Sequence, residues 1–219
     1  MVKEYTRRLF TCFVGVVLCG MACSLGAMAG SVGTNAWNTL AIGIQNHTGL
    51  TFGRASLIVS ITILLIDIVG RGKLGLGTVI NVFFTAWSAD LFLAVLDFLP
   101  AADSWGLGLV YTLTGQVMLS FATLMYMAPG LGAGPRDTLM VLVGKKMPRV
   151  PIGMARFAIE MAALLAGLVL GAPFGIGTVL IVALQASIFQ LACKVTKIEP
   201  RAIVQEDFAA TIRRVRKKG

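Results

Sequence analysis

The chain repeats itself at an interval of about one hundred residues. Gly75-Leu76-Gly77-Thr78-Val79 returns as Gly175-Ile176-Gly177-Thr178-Val179. Gly15, Val17, Gly30 and Gly53 return as Gly115, Val117, Gly130 and Gly153. With one residue of gap, Trp37-Asn38-Thr39-Leu40 overlies Arg136-Asp137-Thr138-Leu139. Each copy holds three apolar runs of membrane-crossing length. An odd number of crossings per copy turns the second copy upside down relative to the first, the architecture of many transporters.

Composition says why those runs are read as spans. Hydrophobic residues make up 57% of the chain and charged residues 13%, about half the charged share of an ordinary soluble domain. Runs of about twenty apolar residues suffice to cross a hydrocarbon core, and the ten-residue alternating strands of a barrel are absent from the pattern. The fold class expected is an all-α polytopic membrane protein: six transmembrane helices as two inverted three-helix repeats, each with a short non-spanning helix. The spans fall at 9–29, 52–69, 77–98, 107–127, 152–170 and 178–193. The short helices fall at 34–48 and 135–146. Residues 1–198 form the membrane domain, with copies at about 9–98 and 107–195, and 199–219 form a tail.

The N-terminus imitates a cleaved signal. Lys3, Arg7 and Arg8 precede an apolar run that ends at Ala27-Met28-Ala29, a peptidase-like site. The run is long for a signal, however, and has a counterpart near 106–130, so it reads as a retained first span.

Lys and Arg orient the chain. The N-terminus, the 70–74 turn, the 135–149 segment and the tail carry basic residues; the 30–50, 99–106 and 171–174 connections carry none. This alternation implies six crossings with both termini in the cytoplasm. The surplus of 19 Lys and Arg over 10 Asp and Glu is therefore assigned to orientation and anionic headgroups, not to nucleic acid. In the tail, Phe208, Ile212 and Val215 recur at helical spacing among basic residues, which suggests an amphipathic helix on the membrane surface.

Enzyme, metal and cofactor chemistry find no support in the motifs. The one histidine, His47, cannot build a Ser/His/Asp triad or a zinc signature. Cys12, Cys19 and Cys23 share a helical face with Gly15, Gly26 and Gly30 and read as a small-residue packing seam. The Gly-x-Gly-Thr motifs lack the lysine of a phosphate loop and read as tight turns into spans three and six.

Several motifs resemble the YczE/YitT family of bacterial integral membrane proteins. Gly134-Pro135-Arg136-Asp137-Thr138-Leu139-Met140 is similar to that family's GPRDxLM signature, Arg156 and Glu160 to its RxxxE, and Gly175-Ile176-Gly177-Thr178 to its closing GxGT. In the first copy, residues 36–40 and 75–78 are the weaker counterparts. The resemblance implies the bacterial cytoplasmic membrane and says little about activity.

The candidate site residues are Trp37, Asn38, Asp90, Arg136, Asp137, Thr138, Arg156 and Glu160. Arg136 and Asp137 open the short inner helix, where unpaired N–H groups and the helix dipole favour anions. Glu160 stands mid-span, where a bare carboxylate costs several kcal/mol, with Arg156 one turn away. Asp90, deep in span three, is a second intramembrane carboxylate, replaced by Gln190 in the other copy. The expected function is a secondary transporter or exporter of a small solute, anionic in the sharper form of the expectation. The partners are that solute and membrane lipids, and a homo-oligomer is left open. The alternative is a non-transporting scaffold acting through its cytoplasmic face.

Overall fold

The computed structural model describes residues 2–146 and 152–208. Among the described residues eight α-helices follow one another: α1 (Val2–Ala27), α2 (Ala36–Thr48), α3 (Phe52–Val69), α4 (Leu76–Val95), α5 (Trp105–Met127), α6 (Pro135–Lys146), α7 (Ile152–Val169) and α8 (Ile176–Thr196). No strand occurs among the described residues. Five helices among the described residues are long and apolar enough to cross a membrane: α1 from Lys3, α3, α4 extended to Phe98, α5 and α8. The remaining expected span, α7, is an 18-residue helix that carries Arg156 and Glu160. The surface is greasy, with Phe10, Phe83, Trp87, Phe98, Trp105, Leu165 and Leu191 all exposed. Water would penalise such a surface and lipid would not.

Helix ends follow the local sequence. Asn35 caps α2, its side chain accepting the Asn38 N–H, and the helix stops at Gly49 in the left-handed region. Thr51 caps α3 by accepting the Arg54 N–H, and Ser104 caps α5 by accepting the Leu107 N–H. Each hydroxyl or amide satisfies one of the N–H groups a helix start leaves orphaned. Pro135 opens α6, where the missing N–H costs nothing.

The two first helices, α1 and α5, cross at the centre. Gly15 of α1 lies against the Tyr126 backbone, and Gly115 of α5 against Ala22 and Gly26. Small residues let the helix backbones approach closely. Cys12 and Val16 are wholly buried there, so α1 is the hub of the packing. Cys12, Cys19 and Cys23 are free thiols within this packed interior, and no metal cluster forms among the described residues. Around the crossing, α4 packs on α1 and α8 on α5; α2 packs on α7 and α6 on α3.

The Gly-x-Gly-Thr motifs do more than turn the chain. The Gly77 N–H donates to the Leu131 carbonyl at 2.8 Å, and the Thr78 hydroxyl donates to the Ala133 carbonyl at 2.6 Å. Gly175 and Gly177 likewise lie against the backbone of residues 31–33. Each motif therefore seats in the glycine loop of the other copy. Gly33 (φ +83°) and Gly132 (φ +122°) need the left-handed backbone of glycine. A Cβ at Gly132 would also stand 2.8 Å from the Gly75 Cα.

Residues 199–208, ahead of most of the expected surface helix, are tied to the membrane domain. After a 3-10 turn at Pro200–Ala202, the chain runs extended. The Glu206 N–H donates to the Gly130 carbonyl at 2.9 Å and the Phe208 N–H to the Leu74 carbonyl at 3.0 Å. Gln205 accepts from the Gly132 N–H and donates to the Met127 carbonyl. Arg8 pairs with Glu206 at 2.9 Å and donates to the Pro129 carbonyl. Backbone and side-chain bonds thus tie 203–208 across the 127–132 turn. Ile212 and Val215, on which the amphipathic reading rests, lie outside the described residues.

Candidate functional site

A cavity of about 150 Å³ opens where all eight helices or their N-terminal approaches converge. Its wall is formed by Cys19 and Cys23 of α1, Asn35 and Trp37 at the start of α2, and Ser60 of α3. Asn81 and Thr85 of α4, Gln116 and Tyr126 of α5 and residues 134–137 of α6 continue it, and Arg156 and Glu160 of α7 with Gln185 of α8 close it. A small polar molecule fits this space, and a macromolecule does not.

The start of α6 supplies the strongest electrostatics. Arg136 holds its guanidinium carbon 4.9 Å from the ring centroid of Trp37, a cation–π contact between the equivalent positions of the two copies. Arg136 forms no ion pair and donates no hydrogen bond among the described residues. Burial pulls this guanidinium below its ordinary value, and Asp137 beside it counters; an arginine stays charged under such a shift. Its residual exposure, intermediate for the residue, is to the cavity it lines. Asp137 is taken: its Oδ2 accepts the Tyr126 hydroxyl at 2.7 Å.

The second charged group is the α7 pair. Arg156 Nε donates to Glu160 Oε1 at 2.9 Å, and Gln185 Nε2 of α8 donates to Glu160 Oε2. Glu160 is buried, with a side chain 10% exposed, whereas Arg156 is 46% exposed. The carboxylate thus has both oxygens bonded, and Gln185 ties α8 to it. Two polar atoms in the wall are buried without a partner, Gln116 Oε1 and Thr85 Oγ1. Both residues belong to the cavity wall, so these are the unsatisfied polar groups nearest to it.

Trp37, Arg136, Asp137, Arg156 and Glu160 therefore meet in one place. Three other candidates do not line it. Asn38, 1% exposed, donates through Nδ2 to the Cys23 carbonyl at 3.0 Å and to Thr34 Oγ1 at 3.5 Å, pinning α2 to α1. Thr138 bonds back to the Gly134 carbonyl within its own helix start. Asp90 accepts the Gly53 N–H at 2.6 Å and the Thr51 hydroxyl at 2.5 Å, so it anchors the N-terminus of α3 and is occupied there. Tyr126 and Asn81 escaped the sequence reading. A lone tyrosine at the end of an apolar run looks like an interfacial anchor, and its contact with Gly15 of α1 left no local signal.

The model of a family of unknown function, DUF6198, matches residues 6–194. Three proteins are similar to the chain. One is an uncharacterised protein of Haemophilus influenzae, 31% identical over 160 residues, which cover 73% of the chain and 71% of that protein. The uncharacterised membrane protein YczE of Bacillus subtilis is 28% identical over 82% of each chain. The uncharacterised protein YyaS of the same organism is 26% identical over 78% of the chain and 85% of its own length. The family resemblance read from the motifs is thus matched over the chain as a whole. No solved structure matches.

Proposed function

We propose that this chain, which belongs to the DUF6198 family and is a multi-pass membrane protein, is a secondary carrier of a small anion. It would be built as six spans in two inverted three-helix repeats, with both termini in the cytoplasm. The observation that carries the reading is Arg136: a half-buried cation with no ion pair among the described residues, lining a small cavity beside Trp37. A permanent charge in that position favours a negative ligand, and the first N–H groups of α6 add to it.

Inversion is supported by reciprocal packing. Contacts α1–α4 and α5–α8 correspond, as do α2–α7 and α6–α3, and each Gly-x-Gly-Thr motif seats in the opposite copy's loop. A cavity at the interface of two such halves is where alternating access requires a binding site. Glu160 is the coupling group of this reading, because its pairing with Arg156 and Gln185 can be exchanged when a ligand or proton arrives.

Purified protein should gain thermal stability from members of a panel of small monoanions and phosphate, since ligands that bind only the folded form raise its melting temperature. Reconstituted in liposomes, it should move the stabilising anion. Glu160→Gln should abolish that movement while the protein still folds. Undiminished transport by the variant would remove Glu160 from the mechanism, and an Arg136→Ala variant with unaltered anion response would sink the carrier reading.

A further inference from the structure

Asp67 lies near the C-terminal end of α3 and belongs to no interaction described so far. Its side chain is 0% exposed. Neither carboxyl oxygen has a hydrogen-bond partner, and the residue enters no ion pair among the described residues. Asp90, Asp137 and Glu160 differ: each accepts at least one hydrogen bond. An ionised carboxylate without a donor in an apolar interior is strongly disfavoured, and a protonated one far less so.

Packing does not require a carboxyl at this position. The helix packs on α6, and a side chain at nearby Gly72 would meet both Thr138 of α6 and the Asp67 Cβ. The equivalent residue in the second copy is Gly167, which lies against the Thr39 and Leu40 backbone of α2. Position 167 touches the other copy's short helix, and Asp67 stands beside Gly72, which lies against Thr138 of α6. A contact that accepts glycine in one copy is not built around an acid in the other. The ionisable groups on elements packed against α3 are His47 on α2, Asp90 on α4, and Arg136, Asp137, Lys145 and Lys146 on α6, with Arg71 and Lys73 in the turn beyond. Asp90 and Asp137 are bonded elsewhere, and Arg136 lies by Trp37.

We propose that Asp67 is a proton-binding site at the α3–α6 contact, protonated while the two helices are packed and ionised when they part. On parting, the carboxyl O–H bond breaks, the proton passes to water, and the carboxylate that remains is hydrated. Because α6 also carries Arg136 and Asp137, release of the proton accompanies displacement of that side of the cavity. This last step alone rests on the carrier reading; occupancy of Asp67 by a proton does not.

The test is infrared difference spectroscopy of the full-length protein in detergent at neutral pH. Wild type minus Asp67→Asn should show a protonated-carboxyl band that shifts in heavy water. Asp67→Asn should melt no lower than wild type, because an amide is the nearest neutral copy of a protonated carboxyl. Asp67→Gly, which copies the second repeat, should lose the same band. Absence of the band from the difference spectra overturns the proposal. Should neither variant fold, wild type labelled with carboxyl-13C aspartate decides: a label-shifted protonated band upholds it, and none overturns it. Failure to find any transported anion would leave the band untouched, so the two readings fail separately.

Discussion

The two copies share a backbone plan and divide the chemistry unequally. Every formal charge that lines the cavity, Arg136, Asp137, Arg156 and Glu160, comes from the second copy. The first copy lines it with Cys19, Cys23, Asn35, Trp37, Ser60, Asn81 and Thr85, all neutral. Equivalent positions make the contrast sharp: Trp37 faces Arg136, Ser60 corresponds to Glu160, and Thr85 to Gln185. The short helices diverge in the same way. The start of α2 is closed by its own Asn35 cap and by Asn38, whose amide is spent on α1. Thr39 and Thr138 bond back alike to the carbonyls of Asn35 and Gly134, but at the start of α6 Arg136 lines the cavity with a charge. One copy supplies a neutral wall, the other the charges. Repetition thus does not require equivalent roles: the shared plan constrains the packing more tightly than the chemistry of the cavity wall.

The largest effect should come where the copies are alike. Gly33→Ala and Gly132→Ala each add a Cβ to a left-handed backbone pressed against the opposite motif. Strain and overlap together should cost about 3 kcal/mol or more in each, read as a fall in melting temperature. Unequal losses would show that the two seams are not equivalent. Next come the unlike positions. Arg136→Ala should weaken a stabilising anion about 100-fold, the loss of a charged hydrogen bond, whereas Ser60→Ala in the neutral copy should leave affinity within a few-fold in the same titration. Thr78 and Thr178 then divide the pair. The Thr78 hydroxyl bonds Ala133, and Thr178 Oγ1 has no partner. Thr78→Val should cost about 1–3 kcal/mol of stability and Thr178→Val close to none; equal melting curves would break this distinction. The smallest effect is Trp37→Leu. It removes the cation–π contact and should cost about 0.5–2 kcal/mol, with anion binding retained.

Much of the fold was written in periodicity. The short segment at 135–146 coincides with α6, and 34–48 is α2 with its cap, because Pro135 and Asn35 mark helix starts by local chemistry. The Arg156–Glu160 pair was legible for the same reason: one turn of helix fixes the spacing. Partner choice was not local and was not legible. The Gly-x-Gly-Thr motifs looked like turns, since their bonds run to loops in the other copy. Asp90 looked like a coupling carboxylate because depth in a span was visible and the Thr51 and Gly53 donors were not. Asp67 went unnoticed beside Arg71 and Lys73, where an acid reads as part of a charged interface. The 203–208 strap was masked by the basic composition that follows it.

The exchange of loops between halves sets an order on assembly in the cell. When α4 leaves the ribosome, the carbonyl that its Gly77 amide will meet, that of Leu131, has not yet been made, so the first half must wait in the lipid with that start unsealed. The second half faces no such delay, because residues 31–33 are already present when Gly175 and Gly177 emerge. A nascent chain halted after α4 should therefore remain a substrate for membrane quality control, and the last helix to arrive both completes its own copy and locks the first.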